Sequence, residues 1–484
     1  MSTSAEDGAR KYKTLAANTA LISFGTLGSK LLVFFMVRFY TGYMSPSDYG
    51  TADIITQTAN LLIPLVTLGM AEGVFRFTAA APETGRAAFT AGLVCFLPGT
   101  AALALLLPRT GYIGQYGTLL VIYIFASCLH SMCAQYVRAL GDMSAYALQG
   151  LINTALVIGF NIALLAVFRL GITGYLLSVA AADALSALWL AVKKRLWREL
   201  TVNISPALFR QMLAYSIPLV PTAVFWWITG VSDRYMISGF LSSAANGIYS
   251  VSSKLPTMLT VLSTVFMDAW QLSAVTEAHG DPEAHRRFYS RVWSIFRAGV
   301  TICAALMIAL SRAGVMLLAD EEYFSAWRYV PALTLAMVCS AFSSFMGSVY
   351  TVTGESRRAF RTAMAGAALN VVLNLALIPS PLGIQGAALA TFVSCLAVFV
   401  IRVLSVRRLI GFDIEPLKCV LSLLIVCAQA VFMVLDTPLR YTLQLFGVTV
   451  LCFINRAPLM RCADMLRGYF LPTGKHLITK ENRR

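Results

Sequence analysis

Charge is what this chain has least of. Asp, Glu, Lys and Arg make up 13% of its 484 residues, about half the share of a soluble domain. An ordinary water-soluble globule is thereby excluded. Acids are the scarcer sign, 23 against 38 bases, for a formal net charge of +15. The ten cysteines stand singly, with no CxxC pair, so they read as small buried hydrophobes rather than disulfides or zinc ligands. Of only four histidines, His279 and His285 share a turn-rich loop, HGDPEAH, which reads as solvated. Walker, HExxH and GxSxG sequences are all missing, which removes nucleotide hydrolysis and the common hydrolase chemistries. The expected outer loops are short. The longest, around Ala319 to Ser325, offers only Asp320, Glu321 and Glu322 as acids, too little for a surface glycosyltransferase or polymerase site.

Apolar length is abundant. Hydrophobic residues make up 58% and the mean hydropathy is +0.72. Runs near 20 residues recur throughout, and about fourteen can be counted, each able to cross a hydrocarbon core as a helix. They fall near 16–39, 51–78, 88–108, 115–137, 145–168, 173–194, 210–240, 248–275, 290–311, 326–352, 359–378, 384–406, 417–435 and 439–456. The predicted fold class is all-α, a polytopic membrane protein with two pseudo-symmetric six-helix lobes and two C-terminal helices. With the N-terminus cytoplasmic, about 27 of the 38 Lys and Arg fall on inside segments, as the positive-inside rule requires. Both termini are expected inside the cell, in the cytoplasmic membrane. The bases are spread over many short loops, which argues against nucleic acid.

The chain also repeats itself. Gly141-Asp142 matches Gly354-Glu355, Asn161 matches Asn374, and Leu170-Gly171-Ile172 matches Leu382-Gly383-Ile384, at offsets of 212 to 213. A second match sets DYGTADIITQ from residue 48 against ANGIYSVSSK from residue 245, at an offset of 197. Duplicated bundles with a site between their halves are a transporter architecture. The expected division is a tail at 1–15, lobes at 16–200 and 201–410, added helices over 411–460, and a basic tail at 461–484.

Ionisable side chains within spans are costly, about 2.5 to 3.5 kcal/mol each on insertion scales, and so mark candidate sites. Lys30, Arg234 and Lys254 are expected in the outer half of the membrane. The repeat sets Lys254 opposite Gln57, and Arg234 one place from the counterpart of Arg38. A cationic cavity of this kind suits a phosphate-bearing substrate. Pairing of the cations with Asp53 or Asp233 as structural glue is the competing reading. Glu72 and Arg76, spaced i, i+4, suit a gate or an interfacial ion pair. Asp268, Asp233, Asp183 and Arg297 are further candidates for gating or ion coupling. Asn161, Asn370 and Asn374 are expected to hydrogen-bond between helices. Pro64, Pro218, Pro221 and Pro256 interrupt three spans.

The opening stretch, with SPSDYG after the first span and TLGM…FRF closing the second, resembles the polysaccharide transporter family of the MOP flippase superfamily. DRYMISGFLSSAANGIYSVSSKLP (233–256) and LGIQGAALAT (382–391) fit the same resemblance. It implies a transporter rather than an enzyme, working by alternating access. The implied substrate is an undecaprenyl-diphosphate-linked oligosaccharide carried to the outer leaflet. Implied partners are membrane lipids and the glycosyltransferases and polymerase of the same pathway. No cofactor is implied, and coupling to Na+ or H+ is left open. Lys30, Arg234 and Lys254 stand where diphosphate binding suits them, with Asp53, Gln57 and Arg38 around them. A multidrug exporter of the same superfamily and a lipid II flippase are the alternatives. Spans 13 and 14 and a cationic cavity count against the exporter.

Overall fold

The computed structural model describes residues 32, 34–109, 115–277, 282–353, 355–409 and 411–461. Side chains are described except at 268–277, 282, 284–285, 351–352 and 356. Among the described residues all regular structure is helical. Ten helices are long and apolar enough to cross a membrane, or eleven with one bent pair counted as a span. The count of fourteen from the sequence includes a first run, 16–39, that falls largely outside the described residues. It also includes the run 248–275, which falls on the helix Ser243–Glu277 and is not among the eleven, and the last run, here the shorter helix Arg440–Ile454.

By internal packing the chain forms two compact units. The first is 1–250 with the short segment Leu318–Tyr323, and the second is 251–317 with 324–484. This division follows contact, whereas the lobes expected at 16–200 and 201–410 follow the repeat.

The first unit holds α1 (Pro46–Val66), α2 (Met70–Ala80), α3 (Gly85–Leu106), α4 (Gly117–Ala139), α5 (Met143–Asn161), α6 (Gly171–Lys194), α7 (Pro206–Ser216) and α8 (Leu219–Phe240). The opening turns of α9 (Ser243–Glu277) complete it. Ser45 caps α1 by accepting from the Asp48 amide at 3.2 Å, with Pro46 at the first helical position, a pairing built for helix starts. The SPSDYG sequence is thus a helix-start signal. Pro64 then withholds an amide, and Gly69 takes a left-handed φ of 69°, so α1 and α2 meet at a bend of 49°. The bend is packed: a Cβ on Gly69 would lie 2.7 Å from the Ser216 carbonyl, where α7 gives way to Pro218. Breaks in two expected spans therefore cover each other.

The second unit holds the rest of α9, α10 (Pro282–Ala309), α11 (Ser311–Leu318), α12 (Val330–Thr353), α13 (Ser356–Leu377), α14 (Gly383–Leu409), α15 (Pro416–Val434) and α16 (Arg440–Ile454). Trp293, Phe296, Phe342, Phe345 and Phe399 form its aromatic core, with ring centroids 4.8–6.5 Å from their neighbours. α15 and α16 are tied by a reciprocal pair of buried amides. Gln429 Nε2 donates to the Gln444 carbonyl at 2.9 Å, and Gln444 Nε2 to the Gln429 carbonyl at 2.8 Å. Gly447 makes room for this, since a Cβ there would lie 2.7 Å from the Gln429 amide.

The repeated asparagines, Asn161 and Asn374, both donate four residues back within their own helices, and both have a buried Oδ1 without a partner. Asn370 bridges α13 to Thr391 and Ser394 of α14, and Asn374 donates to Asn370. Asn161 donates to Val157 of its own helix. The expectation of an inter-helix bond holds for Asn370 and is corrected for Asn374 and Asn161. α5 passes at that point into a π turn, Ile162–Val167.

Candidate functional site

Two polar nodes lie inside the first unit. The first is built where α1, α8 and α9 meet. Gly50 of α1 and Gly247 of α9 let the two backbones touch: a Cβ on Gly50 would fall 1.9 Å from the Ser243 carbonyl, and one on Gly247 2.0 Å from the Pro46 carbonyl. Ser243 is the counterpart of Pro46, and Gly247 of Gly50, at the 197 offset. The crossing is therefore reciprocal, each repeat copy docking on the other by the same residues. Asn246 Nδ2 seals it, donating to the Gly50 carbonyl at 3.0 Å and to Asp53 Oδ2 at 3.3 Å.

Asp53, one turn further along α1, faces Arg234 of α8. Arg234 Nη1 lies 2.6 Å from Asp53 Oδ1 and 3.1 Å from Ser250 Oγ, with both members of the pair nearly buried. Asp233 stands beside this pair, accepting from the Tyr249 hydroxyl and from the Arg234 amide. Gln57 donates weakly to Asp53 at 3.4 Å, and its carbonyl accepts from Trp227 Nε1 at 2.8 Å. Tyr235 closes the lower side through Thr58, O to O at 2.6 Å. Ionised, the two carboxylates and one guanidinium sum to minus one. Arg234 is thus engaged by an acid rather than held open for an anion.

The other expected cations are placed as follows. Lys254 belongs to the second unit, half-buried on α9, and Lys30 lies outside the described residues. Arg38 is exposed and donates to the Ala319 carbonyl, where Leu318–Tyr323 folds onto the start of the first unit. Asp320 and Tyr323 secure the same segment through Thr41 and the Met44 carbonyl, at 3.1 and 2.8 Å.

The second node lies among α4, α5 and α6. Asp183 accepts from Ser127, from Asn153 Nδ2 at 2.8 Å and from His130 Nδ1 at 3.1 Å. His130 Nε2 lies 2.6 Å from Gln149 Oε1. With the Gln149 amide so placed, both ring nitrogens face oxygens, the pattern of an imidazolium paired to a carboxylate. His130 was missed from sequence. The available signal was a titratable side chain within the span at 115–137, no different in kind from Asp183.

The remaining candidates are placed apart from both nodes. Glu72 and Arg76 do not pair with each other, correcting the expected i, i+4 contact. Arg76 lies over the Tyr215 ring at 4.2 Å, and Glu72 accepts from Gln135 at 3.4 Å. Asp268 is on α9 where side chains are not described. Arg297, fully buried in the second unit, binds Glu415 at 2.6 Å and Asn455 at 2.9 Å, joining α10 to the start of α15 and the end of α16.

The family model of "Polysaccharide biosynthesis protein" matches residues 15–270. The chain belongs to this family. Both polar nodes fall inside the matched stretch. Among curated proteins, an uncharacterised membrane protein of Methanocaldococcus jannaschii, MJ1375, is 24% identical over 417 residues, covering 79% of this chain and 94% of the relative. Among solved structures, the lipid II flippase MurJ in an inward closed conformation shares 15% identity at a TM-score of 0.69, over 93% of this chain and all of that one. An inward-facing multidrug resistance MATE transporter of the MOP superfamily shares 12% identity at a TM-score of 0.64, over 79% and 94%. The fold of this family member is accordingly that of MOP-superfamily transporters, in a multi-pass membrane chain.

Proposed function

We propose that this protein is a flippase that carries an undecaprenyl-diphosphate-linked oligosaccharide from the cytoplasmic to the outer leaflet of the cytoplasmic membrane, by alternating access and with both termini inside. The observation that carries the reading is the family match, a polysaccharide biosynthesis model lying on a chain with a transporter fold. Lys30 and Lys254 remain the proposed diphosphate ligands. Arg234, held by Asp53, acts by positioning α1 against α8. Asp183 with His130 is the proposed coupling site, for H+ or Na+, since a carboxylate within a bundle is a natural carrier of either. Glycosyltransferases and a polymerase of the same pathway are the proposed partners.

One observation favours a second reading. The Asp53–Asp233–Arg234 node sets two carboxyl groups against one guanidinium, which suits a cationic cargo and so a multidrug exporter.

The deciding experiment is a mass-spectrometric census of lipid-linked sugars in source cells with the intact gene, a deletion, and an Asp183→Asn variant. Accumulation of one lipid-linked oligosaccharide in the deletion and the variant supports the flippase. An unchanged lipid profile with new sensitivity to cationic dyes overturns it in favour of export.

A further inference from the structure

Among the described residues of the second unit, one half-buried cation forms no ion pair. Arg402 sits on α14, seven residues before its end at Leu409, so about 10 Å inside the helix terminus. Its Nε donates to Thr362 Oγ1 of α13 at 3.1 Å, and its Nη1 to the Ser343 carbonyl of α12 at 2.7 Å. These acceptors are neutral. Elsewhere in the same unit, Arg297 faces Glu415 and Arg312 faces Asp436.

A guanidinium has five N–H donors, and two are used here. The free ones lie on the Nη1–Nη2 edge, the edge that grips phosphate in a bidentate fashion. Nη2 carries no hydrogen bond and is not among the enclosed unpartnered atoms, so that edge is reachable. Two hydroxyls beside the guanidinium are also unspent. Ser343 Oγ and Tyr350 Oη are buried without partners, their residues 6% and 1% exposed, and Tyr350 interacts electrostatically with Arg402. Gly347 leaves the guanidinium its place: a Cβ there would lie 2.8 Å from Nη1. Arg357, Arg358 and Arg361 at the start of α13 and Arg407 and Arg408 at the end of α14 are exposed, Arg358 being paired with Glu355 at 3.2 Å. A half-buried guanidinium held by neutral acceptors, beside two unpartnered hydroxyls and near several exposed bases, has the donor set that suits an anion.

We propose that the place where α12, α13 and α14 meet around Arg402 binds a phosphate group, with Ser343 and Tyr350 as neighbouring donors. On the topology of the proposed function, with both termini inside, it lies toward the cytoplasmic ends of the helices, at the level of anionic phospholipid head groups, and basic pockets between helices on that side bind such lipids. Free phosphate shares the same chemistry.

The test is native mass spectrometry of the purified full-length protein titrated with phosphatidylglycerol, with phosphatidylethanolamine as the zwitterionic control. The intact protein is expected to retain phosphatidylglycerol selectively. Arg402→Gln is expected to lose about tenfold or more in affinity, the scale of hydrogen bonds to a charged group, and Arg402→Lys to lose less. Gly347→Ala keeps every charge but displaces the guanidinium, and is also expected to weaken binding. Competition by inorganic phosphate would identify a free-anion site, and its failure to compete a lipid site; both support the assignment. Unaltered selective retention in Arg402→Gln overturns it. Should that variant not fold, unaltered retention in Gly347→Ala overturns it instead.

Discussion

The reciprocal glycine crossing makes a quantitative prediction. In Gly247→Ala the new methyl would sit 2.0 Å from the Pro46 carbonyl oxygen, against an ordinary contact of about 3.4 Å or more. The obstacle is backbone, so no rotamer change relieves it, and α1 and α9 must part by about 1.4 Å. That movement stretches the Asn246 bond to the Gly50 carbonyl, now 3.0 Å, beyond useful length. Strain of about 1–3 kcal/mol and a lost hydrogen bond of about 1 kcal/mol then give about 2–4 kcal/mol. Gly50→Ala, aimed at the Ser243 carbonyl, meets the same crossing from the other side and is expected to cost the same. The double variant should cost little more than either single one, because one displacement accommodates both methyls. Thermal unfolding of the detergent-purified protein, followed by loss of the monodisperse peak on size-exclusion chromatography, reads this directly. Each single variant should lose several degrees, with the double variant close to the lower of them. Additive losses, or a wild-type midpoint in either single variant, would refute the reasoning.

Two further outcomes follow from the ion pairs. Arg234→Ala strands Asp53 beside Asp233 and is expected to destabilise by about 3–5 kcal/mol, whereas Arg234→Ala with Asp53→Asn should recover most of the loss; a double-mutant cycle on midpoint temperatures checks this, and no recovery would show Arg234 acting outside the pair. At Glu415, beyond the membrane end of α15, burial pushes the carboxyl up, but hydrogen bonds from Lys418 and Arg297 outweigh it and hold the group below its usual 4.5. Its stabilising contribution is therefore full above pH 4.5 and fades as pH falls through the lowered value. Midpoints measured from pH 6 downward should fall in this acid range, and Glu415→Gln should flatten the fall while starting lower.

Much of this architecture was legible in the sequence because membrane helices announce themselves by length and basic exits. The 197 offset pointed to Gly50 and Gly247 as equivalent, and the structure shows that the equivalents touch. The competing reading of Arg234 as a partner of Asp53 was legible for the same reason, since a buried charge in lipid must find its opposite. What stayed hidden depended on rotation about helix axes. Spacing alone put Glu72 and Arg76 on one face, yet Tyr215 and Gln135 each offered a better contact. His130 looked like one more residue of an apolar run. Arg402 was absorbed into the count of basic exits, although its neutral acceptors separate it from Arg407 and Arg408.

The Arg297–Glu415 contact has a consequence in time. Its partners are 118 residues apart in the chain, and synthesis at about 5–20 residues per second places about 6–24 s between them. During that interval α10 carries a guanidinium whose carboxylate has yet to leave the ribosome. The hairpin of α15 and α16, stitched internally by Gln429 and Gln444, arrives last and brings Glu415 and Asn455 together. A chain arrested before residue 415 would leave this guanidinium without its carboxylate.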